Sequence, residues 1–341
     1  MRSWRIFYTL KNKKGAVLCL VLCVMLLACI VFSLCLGAVR IPLQALWQIL
    51  TGTQTQTPAA RIVLYTRLPR CWGSILAGAA LAVSGAVIQS VLTNPLAAPH
   101  IIGVNSGAGF AVTLCCVLFP TAVWLIPAAA FGGALLGVMT VITVSKKAGA
   151  SRTSLVLVGI AVSQLFSAGI DALLTVIPDS LSSYTDFRIG GFSGVTTSRL
   201  WPVFWMIVLG LGLAVAMGGH IDILLLGPET AQSLGLPVEK VRFAALFIAA
   251  ALAGAGVSFA GLLGFVGLIV PHAMRRFVGE NSRILTVASA LGGAVLVSFC
   301  DLVARTLFTP YEIPVGIVMS FIGGPFFLYL VFSRKGGHAH D

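Results

Sequence analysis

An all-α polytopic membrane protein, with about ten transmembrane helices and an inverted internal repeat, is the fold class this sequence predicts. Three observations carry the expectation. The 341 residues are 58% hydrophobic and only 9% charged, with a mean hydropathy of +1.02, where a soluble domain carries roughly 25% charged residues. The apolar residues gather into runs of about 20, the length a helix needs to cross a hydrocarbon core. Two distant segments also repeat. Ala80-Leu81-Ala82 with Gly85 returns as Ala251-Leu252-Ala253 with Gly256, and Pro99-His100 as Pro271-His272, at offsets of 171 to 172.

The expected spans lie near Ala16–Leu36, Cys71–Leu92, Ile101–Phe119, Thr121–Val144, Ser154–Ile177, Leu200–Met217, Phe243–Gly261, Leu262–Met274, Ile284–Phe308 and Tyr311–Phe332. The first is too long for a signal peptide and lacks a small-x-small cleavage site before Arg40, so it is kept as a span. Phe243–Met274 needs division. Its 32 residues would make a helix of about 48 Å against a core of roughly 30 Å. Both flanks are basic, with Lys240 and Arg242 before it and Arg275, Arg276 and Arg283 after it, and basic flanks prefer the cytoplasm. The chain therefore crosses twice and turns near Gly261, Gly264 and Gly267, which leaves a short second crossing of the kind found in transport machinery. Five crossings separate the second span from the seventh, so the repeated halves run in opposite directions. One membrane domain covers 1–341, with halves at about 16–177 and 200–333 and a cytoplasmic loop at 218–242.

Ten crossings from an inner N-terminus return the C-terminus inside. Fifteen of the 22 Lys and Arg, including all seven Lys, then face the cytoplasm. The formal charge of +12 is thus a matter of topology in a cell membrane, not of nucleic acid. Arg40, Arg61, Arg67, Arg70, Arg188, Arg199 and Arg305 are left on the external side. The eight scattered Cys have neither disulfide nor zinc spacing; they read as small membrane hydrophobes, and the 37 Gly as helix-packing residues.

No chemical engine is visible. There is no phosphate loop, no H-E-x-x-H and no paired carboxylates, and His100, His272 and the tail His338-Ala339-His340 do not make a metal site. No cofactor or metal is expected, and the chain is not read as an enzyme. Asp171 stands alone within a span as a pore or packing candidate. An ion-coupled secondary transporter or channel using Asp171 or Asp301 and Arg305, and an intramembrane enzyme, are the rival classes. The first would act without an ATPase, and the second lacks a nucleophile–base or metal constellation.

Two segments suggest transport instead. After the Gly/Ala-rich second span the chain breaks at Thr93-Asn94-Pro95-Leu96-Ala97-Ala98-Pro99-His100. Unwound backbone at membrane level is tolerated only against protein or a watery cavity. The loop Gly218–Arg242 reads as a docking platform for an energy-supplying partner. Pro228-Glu229 opens a helix, with proline and acid in its first turn, and Gly235 ends it before Leu236-Pro237 begins a second short helix. Leu224, Leu225, Leu226 and Leu234 are expected to form an apolar knob there.

These same residues resemble a known family. R-L-P-R…G-A-A-L-A-V-S-G-A-V-I-Q…N-P-L-A-A-P…G-V-N-S-G-A-G, with L-L-G-P-E-T-A-Q-S-L-G-L-P, G-F-V-G-L-I-V-P-H-A-M-R-R, D-L-V-A-R and E-I-P-V-G-I-V, is similar to the FecCD-type permease subunits of ABC importers for iron-siderophores, haem and cobalamin. The resemblance runs over nearly the whole chain. It implies a ten-span subunit paired with a second permease, two ATP-binding-cassette ATPase subunits that bind the ATP, and an external substrate-binding protein. It places ATPase coupling on the loop at Gly227, Glu229, Ala231, Leu234 and Gly235. It places the inner gate at Asn94-Pro95-Leu96 and at Thr153 and Ser154, and a short outer helix beside the pathway at Gly190 and Gly191. Arg188-Ile189 stands where relatives often carry an aromatic, and Arg152 departs from their small hydroxyl residues. Arg67, Arg70 and Arg305 match arginines that receive the binding protein's glutamates. The implied cargo is a metal chelate: ferric siderophore on family frequency, with haem or a corrinoid as alternatives.

Overall fold

The computed structural model describes residues 2–54, 56–149, 152–309 and 311–335. The tail histidines, and the side chains of Arg152, Arg334 and Lys335, lie outside the described residues. Helix α1 (Arg2–Cys35) is followed by two short helices, α2 (Leu43–Leu50) and α3 (Pro58–Arg61). The Thr57 hydroxyl caps α3 by accepting from the Ala60 N–H at 3.2 Å, with Pro58 in the first turn, where its missing donor costs nothing. The helix does not stop at Arg61. A π-helical stretch, Ile62–Arg67, carries it into α4 (Leu68–Leu92), giving one apolar rod over Pro58–Leu92. The expected start at Cys71 is therefore too late: the sequence was divided at its arginines, but both side chains are accommodated inside the bundle.

α4 is the central post. It is 94% buried over its most apolar stretch, against 22% for α7 (Arg152–Val176). Its residues are small enough to accept neighbours on every side. α12 (Val238–Ala260) and α14 (Ser282–Thr306) both pack along it. A side chain at Gly73 would meet Phe259, one at Gly256 would meet Leu81, and the Ser84 hydroxyl donates to the Ala249 carbonyl at 2.6 Å. α4 and α12, the two copies of the repeated Ala-Leu-Ala and Gly, thus pack against each other and run in opposite directions. On the α14 side the Gly78 and Gly293 backbones touch so closely that a Cβ on either would strike the other's carbonyl. This is small-residue packing, which brings membrane helices together where water exclusion cannot.

Around this core stand α5 (Val104–Leu118), α6 (Ile126–Lys147), α7, the short α8 (Leu181–Ile189) and α9 (Thr197–Ala216). Among the described residues, seven helices are long and apolar enough to cross a membrane, and Val104–Leu118 and Val315–Leu330 are shorter apolar helices. α13 (Val266–Val278) brings the number near the expected ten. As the glycines predict, α12 ends at Ala260 and α13 starts only after the non-helical Gly261–Phe265.

The loop between α9 and α12 contains α10 (Gly218–Leu225) and α11 (Pro228–Ser233), and α15 (Val315–Lys335) is the last element described. The helix start at Pro228 is where the sequence puts it. The second short helix is not. It precedes α11 instead of following it, because Pro237 leads straight into α12. α10 is anchored by Asp222, whose carboxylate accepts from the Ser282 N–H at 2.9 Å at the start of α14.

Candidate functional site

Two ends of the bundle hold the residues singled out above. At the loop end, Gly227 and Gly235 have φ of +102° and +81° with open space around them, a backbone that a β-branched residue adopts poorly. Glu229 and Leu234 are exposed, and Ala231 is buried. The apolar knob is smaller than expected: Leu226 and Leu234 face outward, but Leu224 is fully buried, because α10 turns that side into the core.

The break after α4 is built from local bonds. Thr93 caps the helix in the left-handed region with φ of +47°. The Asn94 N–H donates to the Gln89 carbonyl at 3.1 Å, and its side-chain oxygen accepts from the Leu96 N–H at 3.0 Å, an Asx turn that satisfies backbone outside any helix. Asn94, Pro95 and Leu96 are half-buried. At the start of α7, Thr153 is exposed, while Ser154 lies 3.5 Å from the Ser145 hydroxyl and 3.4 Å from the Ala148 carbonyl.

Between Pro95, Thr93, Leu225 of α10 and His272, Arg275 and Arg276 of α13 lies a cavity of about 480 Å³. Arg275 reaches Ser90 at 3.2 Å, Glu280 at 3.4 Å and Gln89 at 3.5 Å across it. The sequence reading missed this cavity. It brings together the proline break, the loop and the second Pro-His pair, three segments far apart in the chain.

At the arginine end, where α4 begins and α14 finishes, Gly190 and Gly191 end α8. The Gly191 N–H donates to the Ala260 carbonyl at 2.8 Å, and the Gly190 carbonyl accepts from the Gly316 N–H at 3.2 Å. Both glycines line a cavity of about 410 Å³ that also includes Arg199, Phe259 and Pro314. Arg188 and Ile189 face a second one of about 470 Å³ against Gly316, Ile317 and Phe321 of α15. Asp171 is exposed on α7.

Arg67, Arg70 and Arg305 differ most from expectation. The topology placed them at the external face and the resemblance implied contact with a partner; they are 5%, 7% and 4% exposed. Arg70 bridges two carboxylates, Nε to Asp301 Oδ1 at 2.8 Å and Nη1 to Glu312 Oε2 at 2.6 Å. Asp301 also faces Arg305, at 3.6 Å between Oδ2 and Nε. Arg305 Nη2 donates to the Ser33 carbonyl at 2.5 Å and its hydroxyl at 2.6 Å. Arg67 donates to the Leu34 carbonyl at 2.6 Å and to the Val39 carbonyl. Ser33 and Leu34 belong to the last turn of α1, whose carbonyls have no partner within the helix. Two guanidinium groups satisfy them, at the helix end that favours positive charge. The i, i+4 relation of Asp301 and Arg305 was visible in the sequence. Ser33, the α1 carbonyls and Glu312 were not, since no periodicity links them.

A family model described as the FecCD transport family matches residues 25–333. The Fe(3+)-citrate import system permease protein YfmE of Bacillus subtilis is 35% identical over 329 residues, covering 95% of this chain and 97% of that protein. The cobalamin import system permease protein BtuC of Halobacterium salinarum is 38% identical over 278 residues, covering 81% and 75%. A solved structure presented as an inward-facing metal-chelate-type ABC transporter superposes with a TM-score of 0.81 at 30% identity, covering 92% of this chain and 98% of that one.

Proposed function

The chain belongs to the FecCD transport family and is a multi-pass permease subunit of an ABC importer; from that premise we propose that its cargo is a ferric chelate, foremost a ferric siderophore. The observation that carries this reading is the ferric-citrate permease relative, which matches almost end to end. In this reading the loop end and both termini face the cytoplasm and the arginine end faces outward. α7 and α15 carry uncovered apolar faces, with Leu157, Leu165, Phe321 and Tyr329 exposed. They meet a second permease, identical or homologous, and the pathway runs between the two.

Cargo arrives from an external binding protein that docks around Arg67, Arg70 and Arg305. ATP binding and hydrolysis in two partner ATPases act through α10 and α11, where Glu229, Leu234 and Gly235 present helix-end and apolar contacts. The exit is gated by Asn94, Pro95, Leu96, Thr153 and Ser154. A chelate sheltered by its own ligand shell needs a wide, weakly binding passage and no metal ligands from the protein.

Uptake of radioiron-labelled ferric citrate and ferric hydroxamates, beside haem and cobalamin, in cells lacking and regaining this gene tests the cargo. Restored iron-chelate uptake is expected; restored haem or cobalamin uptake alone rejects it. Cysteines at Asn94, Leu96, Thr153 and Ser154 in a cysteine-free background test the gate. Their reaction with a soluble thiol reagent should change when nucleotide binds, and labelling blind to nucleotide removes them from it.

A further inference from the structure

Resting on the docking reading above, we propose that Glu312 is a built-in latch. It occupies Arg70 until an acidic group on the external partner displaces it, and its release removes the side-chain tie on the segment that leads into α15 beside the outer cavity. Arg70 holds two carboxylates of unequal standing. Asp301 is 1% exposed and is shared with Arg305; removing it would leave two buried guanidinium groups short of a counter-charge. Glu312 is 46% exposed and has no other cation among the described ion pairs. Of the two partners, only Glu312 can leave into water without stranding a buried charge. A carboxylate arriving from outside then restores the pair that Glu312 gave up, so the exchange at Arg70 is close to balanced.

What Glu312 is attached to gives the exchange a consequence. It lies on the connection between α14 and α15, two residues before Pro314, which lines the 410 Å³ cavity. The connection is pinned on one side of Glu312 by the Ile313 N–H on the Ala304 carbonyl at 3.0 Å, and beyond it by Gly316 on Gly190 at 3.2 Å. Arg70–Glu312 is thus a side-chain tie from the docking end to the segment that touches Gly190 and Gly191. A partner shifts a conformational equilibrium only by binding one state better than the other. Competition for Arg70 supplies that difference, because the partner's carboxylate and Glu312 cannot both hold the same Nη1.

The test uses the complete importer in lipid nanodiscs with its purified binding protein. Affinity is measured for wild type, Glu312→Gln and Arg70→Gln. Spin labels are placed at Tyr65 and Tyr311, both exposed, in a background without the native cysteines. Glu312→Gln should tighten docking about three-fold or more, the scale of a half-exposed pair. It should also lengthen the Tyr65–Tyr311 distance without binding protein, as binding protein does in wild type. Arg70→Gln should weaken docking. If Arg70→Gln weakens docking but Glu312→Gln weakens it too or leaves it unchanged, the latch is wrong and the docking reading stands. Unchanged docking in Arg70→Gln overturns both. Should Arg70→Gln fail to assemble, the distance decides, since a spin pair that ignores both binding protein and Glu312→Gln rejects the latch.

Discussion

Arg70, at one end of the bundle, sits 2.8 Å from Asp301 and 2.6 Å from Glu312; Arg275, at the other, has Ser90 at 3.2 Å and Glu280 at 3.4 Å as its nearest polar partners. The first distances are those of charge-assisted bonds, and the second exceed them. The surroundings differ in the same sense. Asp301 and Arg305 are almost fully buried beside Arg70, and α1 is tied in through Ser33 and Leu34. Arg275 borders a cavity of about 480 Å³, with an exposed Arg276 beside it and an exposed Glu280 opposite. Charge at the arginine end holds three helices together. Charge at the loop end is left with donor capacity beside an open cavity. The buried pairs of Asp301 resist change, and the loosely held ones around Arg275 can be rearranged at little cost.

The sharpest way to break this contrast is Asp301→Ala. Two buried guanidinium groups would lose their shared carboxylate, which costs about 3–5 kcal/mol. Thermal unfolding of the detergent-solubilised protein should show a severe loss, and a wild-type midpoint would mean that the network contributes nothing to the fold. Gly78→Val comes next. Its side chain would meet the Gly293 carbonyl, and overpacking of this kind costs about 1–3 kcal/mol. The same melting assay should register it, and an unshifted curve would separate α4 from α14.

Gly235→Val probes the other end. A β-branched residue at φ of +81° is strained by about 1–3 kcal/mol, but the site has open space around it and lies outside the spans. We expect transport to collapse while insertion stays near wild type and the thermal midpoint falls no further than in Gly78→Val. Normal ATP-coupled uptake in that variant would take the loop out of coupling. The smallest effect is expected of Arg275→Gln, below about 1 kcal/mol on the scale of loosely held, partly exposed pairs. If it destabilised the protein as much as Asp301→Ala, the two ends would not differ as described.

How much of this was legible beforehand depends on the range of the interaction. Pro228-Glu229 and Gly235 marked a helix and its end because caps and left-handed glycines act within a turn. The proline break after α4 was readable for the same reason, as was the division of Phe243–Met274, where length alone forbids one helix. The position of the second loop helix was misjudged because α10 has no proline or cap signal of its own: it starts at Gly218 directly after α9, held by Asp222 on Ser282. Arg67 and Arg70 were placed at an open face because hydropathy sees a charge and not its partner.

The sequence by itself determined that this chain lives in a membrane, roughly how many times it crosses, where its backbone breaks and to which transport family it belongs. These follow from composition, run length and contiguous motifs, all of which are local along the chain. Only the tertiary structure decided which groups the arginines hold. Asp301 lies 231 residues from Arg70 and Ser33 lies 272 from Arg305, and a pair so separated leaves no periodic trace. Which oxygen comes within 3 Å of a buried guanidinium is set by packing alone.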